Sequence, residues 1–499
     1  MHSNRPAFAA LAFLVALWTS SCAVPLGPGY TIEKQSVIVH FVSLPQLRIE
    51  VEANYDLQNS GNQPLSLIEI HLPSPLRYRV TQSLAEWNGS IVPLELPEDA
   101  GASDRTHVLR FPAAWELRSR SHLRVSFEIE PAAAGDAKLN IAADAFYLPA
   151  EGWNPELLPA GGLFGTGGVP PKQWGLSAQV PQDFLVHASG QEGKTLPRNG
   201  EKTVIFFQLP PDHYPFLLAG HYTESRFDAG RQTIRLWTRT AQDAAVLRHT
   251  RDALARALNA YDAFFGERRK DPRAIWIMEC PVADTCAPQL SPDMTRLFAP
   301  PSPSGAAEVA SLDSVLVNIS NSAADISVAA GPSLAASWLG YGRNPGFWDQ
   351  DPPLSALPAF AAAIGREALE GPAVRLEIIR HALVASPLVP AAKHRYESSP
   401  SREKSLLFFY ALQDQYGKQA FARAMTHMVQ ARRGRGFGLS DLIAAVEQET
   451  HQNVAEFVRL WLKHPGIPAE FRARYVDLAA LVGPEKNREA LASSKETLP

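Results

Sequence analysis

Hydrophobic and polar residues alternate through the first half of the chain. Leu123, Val125, Phe127 and Ile129 interleave with Arg124, Ser126, Glu128 and Glu130, and Leu47-Arg48-Ile49-Glu50-Val51-Glu52 alternates as cleanly. A period of two buries one face of a strand and leaves the other in water. The pattern runs from about Thr31 to Arg239, cut by Pro-, Gly- and Asn-rich stretches. It predicts an antiparallel β-sandwich. The glycine-rich stretch from Gly161 to Pro171 lacks the Lys-Ser/Thr ending of a phosphate loop and reads as a plain loop.

After Ala241 the period lengthens. Leu247, Leu254, Leu258, Tyr261 and Phe265 share one helical face, and Gly266 is placed to end that helix. A strand is expected at Ala274 to Met278. A Pro/Ser-rich loop follows at Ala299 to Ala306. From Ala329 the chain reads mostly helical, most clearly at Leu406 to Leu412, Phe421 to Val429, Leu439 to Val446 and Val454 to Leu462. The fold class is therefore α+β, with a β domain over 23–240, an α-rich domain over 241–483, and a polar, disordered tail over 484–499. No internal repeat is present.

The first 22 residues belong to neither domain. Arg5 precedes an apolar run from Ala7 to Trp18, followed by Thr19-Ser20-Ser21-Cys22. A positive start, a short apolar stretch and small residues read as a secretory signal peptide, too short for a comfortable membrane span. The ending is similar to the lipobox of bacterial lipoproteins, although Thr19 stands where Leu is usual. Lipidation of Cys22 would anchor the chain in a membrane of the bacterial envelope, facing the periplasm or exterior. Ordinary cleavage after Ala23 is the rival. Cys280 and Cys286, five residues apart, fit either a disulfide formed after export or two free thiols. A net charge of -4 gives no general pull toward nucleic acid or an anionic membrane. Arg432, Arg433 and Arg435 read as the flank of a glycine turn.

A further pattern lies between the two halves of the helical region. Ala335-Ala336-Ser337-Trp338-Leu339-Gly340, then Asn344-Pro345-Gly346-Phe347-Trp348-Asp349, then Ala359-Phe360-Ala361 follow one another. This order resembles the active-site core of the gluzincin zinc aminopeptidases, the alanyl aminopeptidase family. There, His-Glu-x-x-His-x-Trp-x-Gly leads through Pro and Trp to a second helix bearing Glu-Gly-Phe-Ala. Leu258 to Gly266 with Ala274 to Met278, Glu403-Lys404-Ser405, and Asp441 to Pro468 resemble further stretches of that family in the same order. The resemblance implies a β domain followed by a thermolysin-like, mostly helical domain.

Carried over residue by residue, the resemblance implies a lost metal site. The two zinc histidines fall on Pro332 and Ala336, the general-base Glu on Ser333, the third ligand on Pro358, and the oxyanion Tyr on Arg402. The family's Gly-Ala-Met-Glu-Asn motif, which grips a substrate amino terminus, has no evident counterpart. Zinc catalysis needs two imidazoles and a carboxylate on the metal, and a base for its water. Pro, Ser, Ala and Pro supply none of these. No two of the 14 histidines lie four residues apart, and His213, His221 and His381 read as surface or packing residues. No cofactor is therefore expected.

The resulting expectation is a pseudopeptidase of the cell envelope that binds a peptide or an envelope protein. Two alternatives stay open. One is a hydrolase with a rebuilt site, in which Gly331-Pro332-Ser333-Leu334-Ala335 distantly resembles a nucleophile elbow, Ser333 is the nucleophile and His381 follows it. The other is an unrelated structural envelope protein.

Overall fold

The computed structural model describes residues 29–475, apart from 44–46, 74–77, 97–104, 131–140, 150–151, 161–167, 208–214, 268–273, 282–306, 312–313, 318–329, 331–333, 335–337, 339–353, 355, 387–400, 433–437 and 464–465. Two compact units emerge. The first comprises Met1–Ala137, Gly152–Pro181 and Gly190–Pro211, and the second Lys138–Glu151, Gln182–Ser189 and Asp212–Pro499.

The first unit holds β1 (Tyr30–Val42), β2 (Arg48–Asn59), β3 (Leu65–His71), β4 (Arg79–Trp87), β5 (Ser90–Val92), β6 (Leu94–Glu95), β7 (Thr106–Trp115) and β8 (Arg120–Glu130). Further along come β11 (Glu156–Leu157), β12 (Trp174–Pro181), β14 (Gln191–Arg198) and β15 (Glu201–Phe207). Eight strands form one sheet in the order β14-β15-β12-β1-β2-β8-β4-β5, and four form another, β11-β3-β7-β6. Alternation does what it predicts. In β8, Leu123, Val125, Phe127 and Ile129 are all buried. Side chains of the two sheets interlock, Trp87 of β4 stacking on Phe111 of β7 at 4.0 Å and meeting Trp115 edge-on at 5.2 Å. One expectation is corrected: the sheets are not wholly antiparallel, because β1 pairs parallel with β12. Alternation fixes which face is buried and says nothing of direction. With no hairpin joining strands so far apart in sequence, direction is free.

The second unit begins with β9 (Ile141–Ala142), β10 (Ala145–Leu148), β13 (Leu185–Ala188) and β16 (Leu217–Gly220), in a sheet ordered β13-β16-β10-β9. A five-stranded sheet follows, of β17 (Thr223–Ala229), β18 (Gln232–Thr238), β19 (Ile275–Glu279), β20 (Ala307–Ser311) and β21 (Ser314–Val317), in the order β17-β18-β19-β21-β20. Its centre is parallel and both edge strands are antiparallel.

Helix α1 (Ala244–Phe265) supplies the crossover from β18 to β19 and ends at Gly266, whose φ of 83° suits glycine. The rest is helical: α2 (Leu357–Glu370), α3 (Ala373–Ala385), α4 (Arg402–Tyr416), α5 (Lys418–Ala431), α6 (Leu439–Thr450), α7 (Ala455–Lys463) and α8 (Ala469–Tyr475). One apolar core joins α1, α2, α4 and α5, with Phe264, Phe360, Phe409 and Phe421 within it. The chain is thus α+β, sheet-rich first and helical after.

Candidate functional site

The residues that flank the aligned zinc positions are apolar. Ala330, Leu334 and Trp338 are helical, lie four residues apart, and are all buried. Four-residue spacing puts them on one face of a helix. Pro332, Ser333 and Ala336 lie between them in sequence and outside the described residues. The Trp338 indole donates to Asp262 of α1 at 3.1 Å, and its ring meets Tyr261 at 5.5 Å. This is a buried indole with its polar end satisfied.

Helix α2 closes against the same place. Pro358 lies in its first turn, where a missing N–H costs no hydrogen bond. Further along, buried Gly365 faces the Tyr261 hydroxyl so closely that a Cβ there would overlap it. Burial pushes that phenol well above its ordinary pKa. Gly365→Ala should destabilise the protein by about 1–3 kcal/mol through overpacking. The cost should shrink when Tyr261→Phe is added, a coupling read from denaturation midpoints. Equal costs in both backgrounds would mean that the hydroxyl is not the obstacle.

Helix α4 carries the fifth aligned position. Arg402 is its first residue, and the Ser401 hydroxyl caps it by accepting from the Lys404 N–H at 3.2 Å. The carboxylates of α2 are engaged elsewhere: Glu370 pairs with Arg366 at 2.7 Å, and Glu367 with Lys418 at 2.7 Å.

The side chains that the sequence resemblance assigns to a zinc ion do not fit one. Pro332, Ala336 and Pro358 have no ligating atom in their side chains, and the Ser333 hydroxyl is a poor base. Among the described residues, no three His, Cys, Asp or Glu side chains come together to hold a metal. Cys280, buried after β19, is disulfide-bonded; its partner lies outside the described residues, as do both Cys22 and Cys286. His213 also lies outside them. His221 meets Asp183 at 3.5 Å, and His381 is exposed on α3.

Two features escape sequence reading. The first is on β20. Its residues Ala307-Glu308-Val309 follow Gly305-Ala306, so the chain reads Gly-Ala-Ala-Glu-Val. Three of these five residues coincide with Gly-Ala-Met-Glu-Asn, the motif for which the sequence reading found no counterpart. Among the described residues β20 is one of the two outer, antiparallel strands of its sheet, with Glu308 opposite Leu316.

The second feature is His187. Its Nε2 is 2.8 Å from the buried Ser314 hydroxyl, and its ring stacks on Trp276 at 3.9 Å. Arg235 lies over Trp276 at 3.7 Å and is gripped by Glu224 through bonds of 2.8 and 2.6 Å. Burial first, and the Arg235 charge second, lower the His187 pKa to about 3. A neutral imidazole beside a serine that solvent does not reach is suited to structure rather than to attack on a substrate. Beyond it, the Glu279 carboxylate accepts from the Arg239 N–H at 2.6 Å, while Arg239 ion-pairs with Asp144; burial raises the Glu279 pKa.

No family profile matches the chain, and no curated protein matches it. Solved structures do. The M1 zinc metallopeptidase of Deinococcus radiodurans has 17% identity over 89% of this chain and 96% of that one, with a TM-score of 0.54. A mutant of that enzyme bound to a Tyr-Ser-Ala substrate has 18% identity over the same shares, with a TM-score of 0.55. Likeness at this identity concerns the fold: the chain has the two-domain architecture of the M1 metallopeptidases.

Proposed function

We propose that the chain is an exported, non-catalytic member of the zinc aminopeptidase group that binds peptides by their amino termini, tethered to the cell envelope through Cys22. The observation that carries the reading is the Gly305-Ala306-Ala307-Glu308 run leading into the outer strand β20. An outer strand offers main-chain donors and acceptors to an extended peptide, which can add as a further strand. A carboxylate on that strand is the natural partner for a terminal ammonium. The positions that would hold and activate a metal-bound water carry Pro332, Ser333, Ala336 and Pro358, so the chemistry of cleavage has no donors while the means of holding a peptide remain.

The test compares peptides with free and acetylated amino termini by calorimetry on the purified chain, with zinc added and product analysed. Free amino termini should bind and acetylated ones should not. Glu308→Gln should weaken binding about tenfold or more, the worth of a charge-assisted hydrogen bond. No product should form. Cleavage that a chelator or Ser333→Ala abolishes would overturn the reading in favour of a rebuilt hydrolase. Absence of binding to any peptide would favour a purely structural protein.

A further inference from the structure

We infer that the first unit has a membrane-contacting tip, at the end where β1 begins, which docks on an anionic lipid surface. The inference rests on export and anchoring through Cys22. Eight residue steps separate Cys22 from Tyr30, the first residue of β1, about 28 Å at full stretch. A lipid on Cys22 would therefore hold the start of β1 within that distance of the headgroups.

What lies at that end suits a lipid surface. Tyr30 pairs with Asn59, the last residue of β2, and Asn59 in turn exchanges backbone hydrogen bonds with the turn after β7. The Asn59 N–H donates to Ser119 at 3.1 Å, and the Arg118 N–H donates to Asn59 at 2.9 Å. This turn, Glu116-Leu117-Arg118-Ser119-Arg120, is thus fastened beside the point where the tether enters the fold. Leu117 is 43% exposed at its crest, and Arg118 and Arg120 flank it, both exposed. An apolar side chain between two arginines is suited to the headgroup boundary, where the apolar part inserts and the cations meet phosphates.

The local charges favour the same partner. Lys34, Arg118, Arg120 and Lys172 face Glu33, Asp56 and Glu116 here, an excess of one positive charge although the whole chain carries -4. Glu33 bonds Lys172 at 2.6 Å and feels Arg120, and Asp56 meets His122 at 3.1 Å, so Arg118 and Arg120 are the cations left to face outward beside Leu117.

The experiment uses the chain from Ala23 onward, so that no acyl group contributes, in flotation with vesicles of pure phosphatidylglycerol or pure phosphatidylcholine. Flotation with phosphatidylglycerol alone is expected, falling as salt rises. Arg118→Ser with Arg120→Ser should weaken it about tenfold or more, since each basic residue at an anionic surface contributes severalfold. Leu117→Ser should weaken it with little change in salt dependence. Equal binding to both lipids, no binding to phosphatidylglycerol, or unchanged binding by the arginine variant would overturn the inference. Mass spectrometry of the mature amino terminus is the separate readout: an unlipidated Cys22 would remove the tether on which the orientation depends, whatever the vesicles show.

Discussion

Phe360→Ala should cost the helical unit about 3–5 kcal/mol, the usual range for removing a fully buried phenyl ring. Phe360 has no exposed surface and lies where four helices meet. Its ring stacks on Phe409 of α4 at 5.2 Å and lies edge-on to Phe264 of α1 at 5.8 Å, Tyr410 of α4 at 5.3 Å and Phe421 of α5 at 6.1 Å. Offset and edge-on pairs of this kind add to the burial term. Phe360→Leu should cost much less, because most of the volume is kept. Urea denaturation of both variants is the check. A loss below about 1 kcal/mol for Phe360→Ala would mean that the site collapses around the gap, at the low end of what cavities cost. Phe360 is also the phenylalanine of the Ala359-Phe360-Ala361 segment singled out in the sequence, and its place in the core gives it a packing role there.

The second large effect is acid lability set by His187. Its folded pKa is about 3 against an ordinary 6.5, so the unfolded chain binds the proton more readily. Stability from this group is fully present above about pH 6.5 and is lost as pH falls toward 3. The loss should reach at most about 2 kcal/mol by pH 5 and grow further below it, at roughly 1.4 kcal/mol per pH unit. His187→Gln removes the titration while offering Ser314 a polar partner. Its thermal midpoint should therefore fall less steeply between pH 6.5 and 4 than that of the unaltered chain. Parallel slopes for the two proteins would show that His187 takes up its proton without unfolding.

How far the sequence foretold this arrangement depends on the range of the interaction. The strand Arg120–Glu130 and the helix Ala244–Phe265 are legible because each writes its buried face in its own periodicity. The same holds for α4 to α7, whose apolar stripes mark their positions in advance. Pairing is different. The contact between β1 and β12, and that between His187 and Ser314 127 residues later, leave no local trace. Strands Ala145–Leu148 and Leu217–Gly220 are buried throughout, so they show no alternation and could not be assigned to a sheet of their own. Trp338 was legible as part of an aligned motif, but its bond to Asp262 was not. Glu308 drew no notice in the sequence because nothing local tells that its strand lies at the edge of a sheet.

The two units are threaded through one another along the chain, and this has a consequence for synthesis. The first unit needs β15, which ends at Phe207, before its eight-stranded sheet is complete, yet residues 138–151 and 182–189 emerge earlier and belong to the second unit. Although β9 and β10 pair with each other, neither they nor β13 can join one sheet until β16 at Leu217–Gly220 has been made. Unlike a chain of domains that mature one after another, this one cannot finish its first part while the second is unmade. Long-range pairing of this kind also slows folding, since loops must close before their contacts form. A single cut will not divide the chain into two fragments that fold alone.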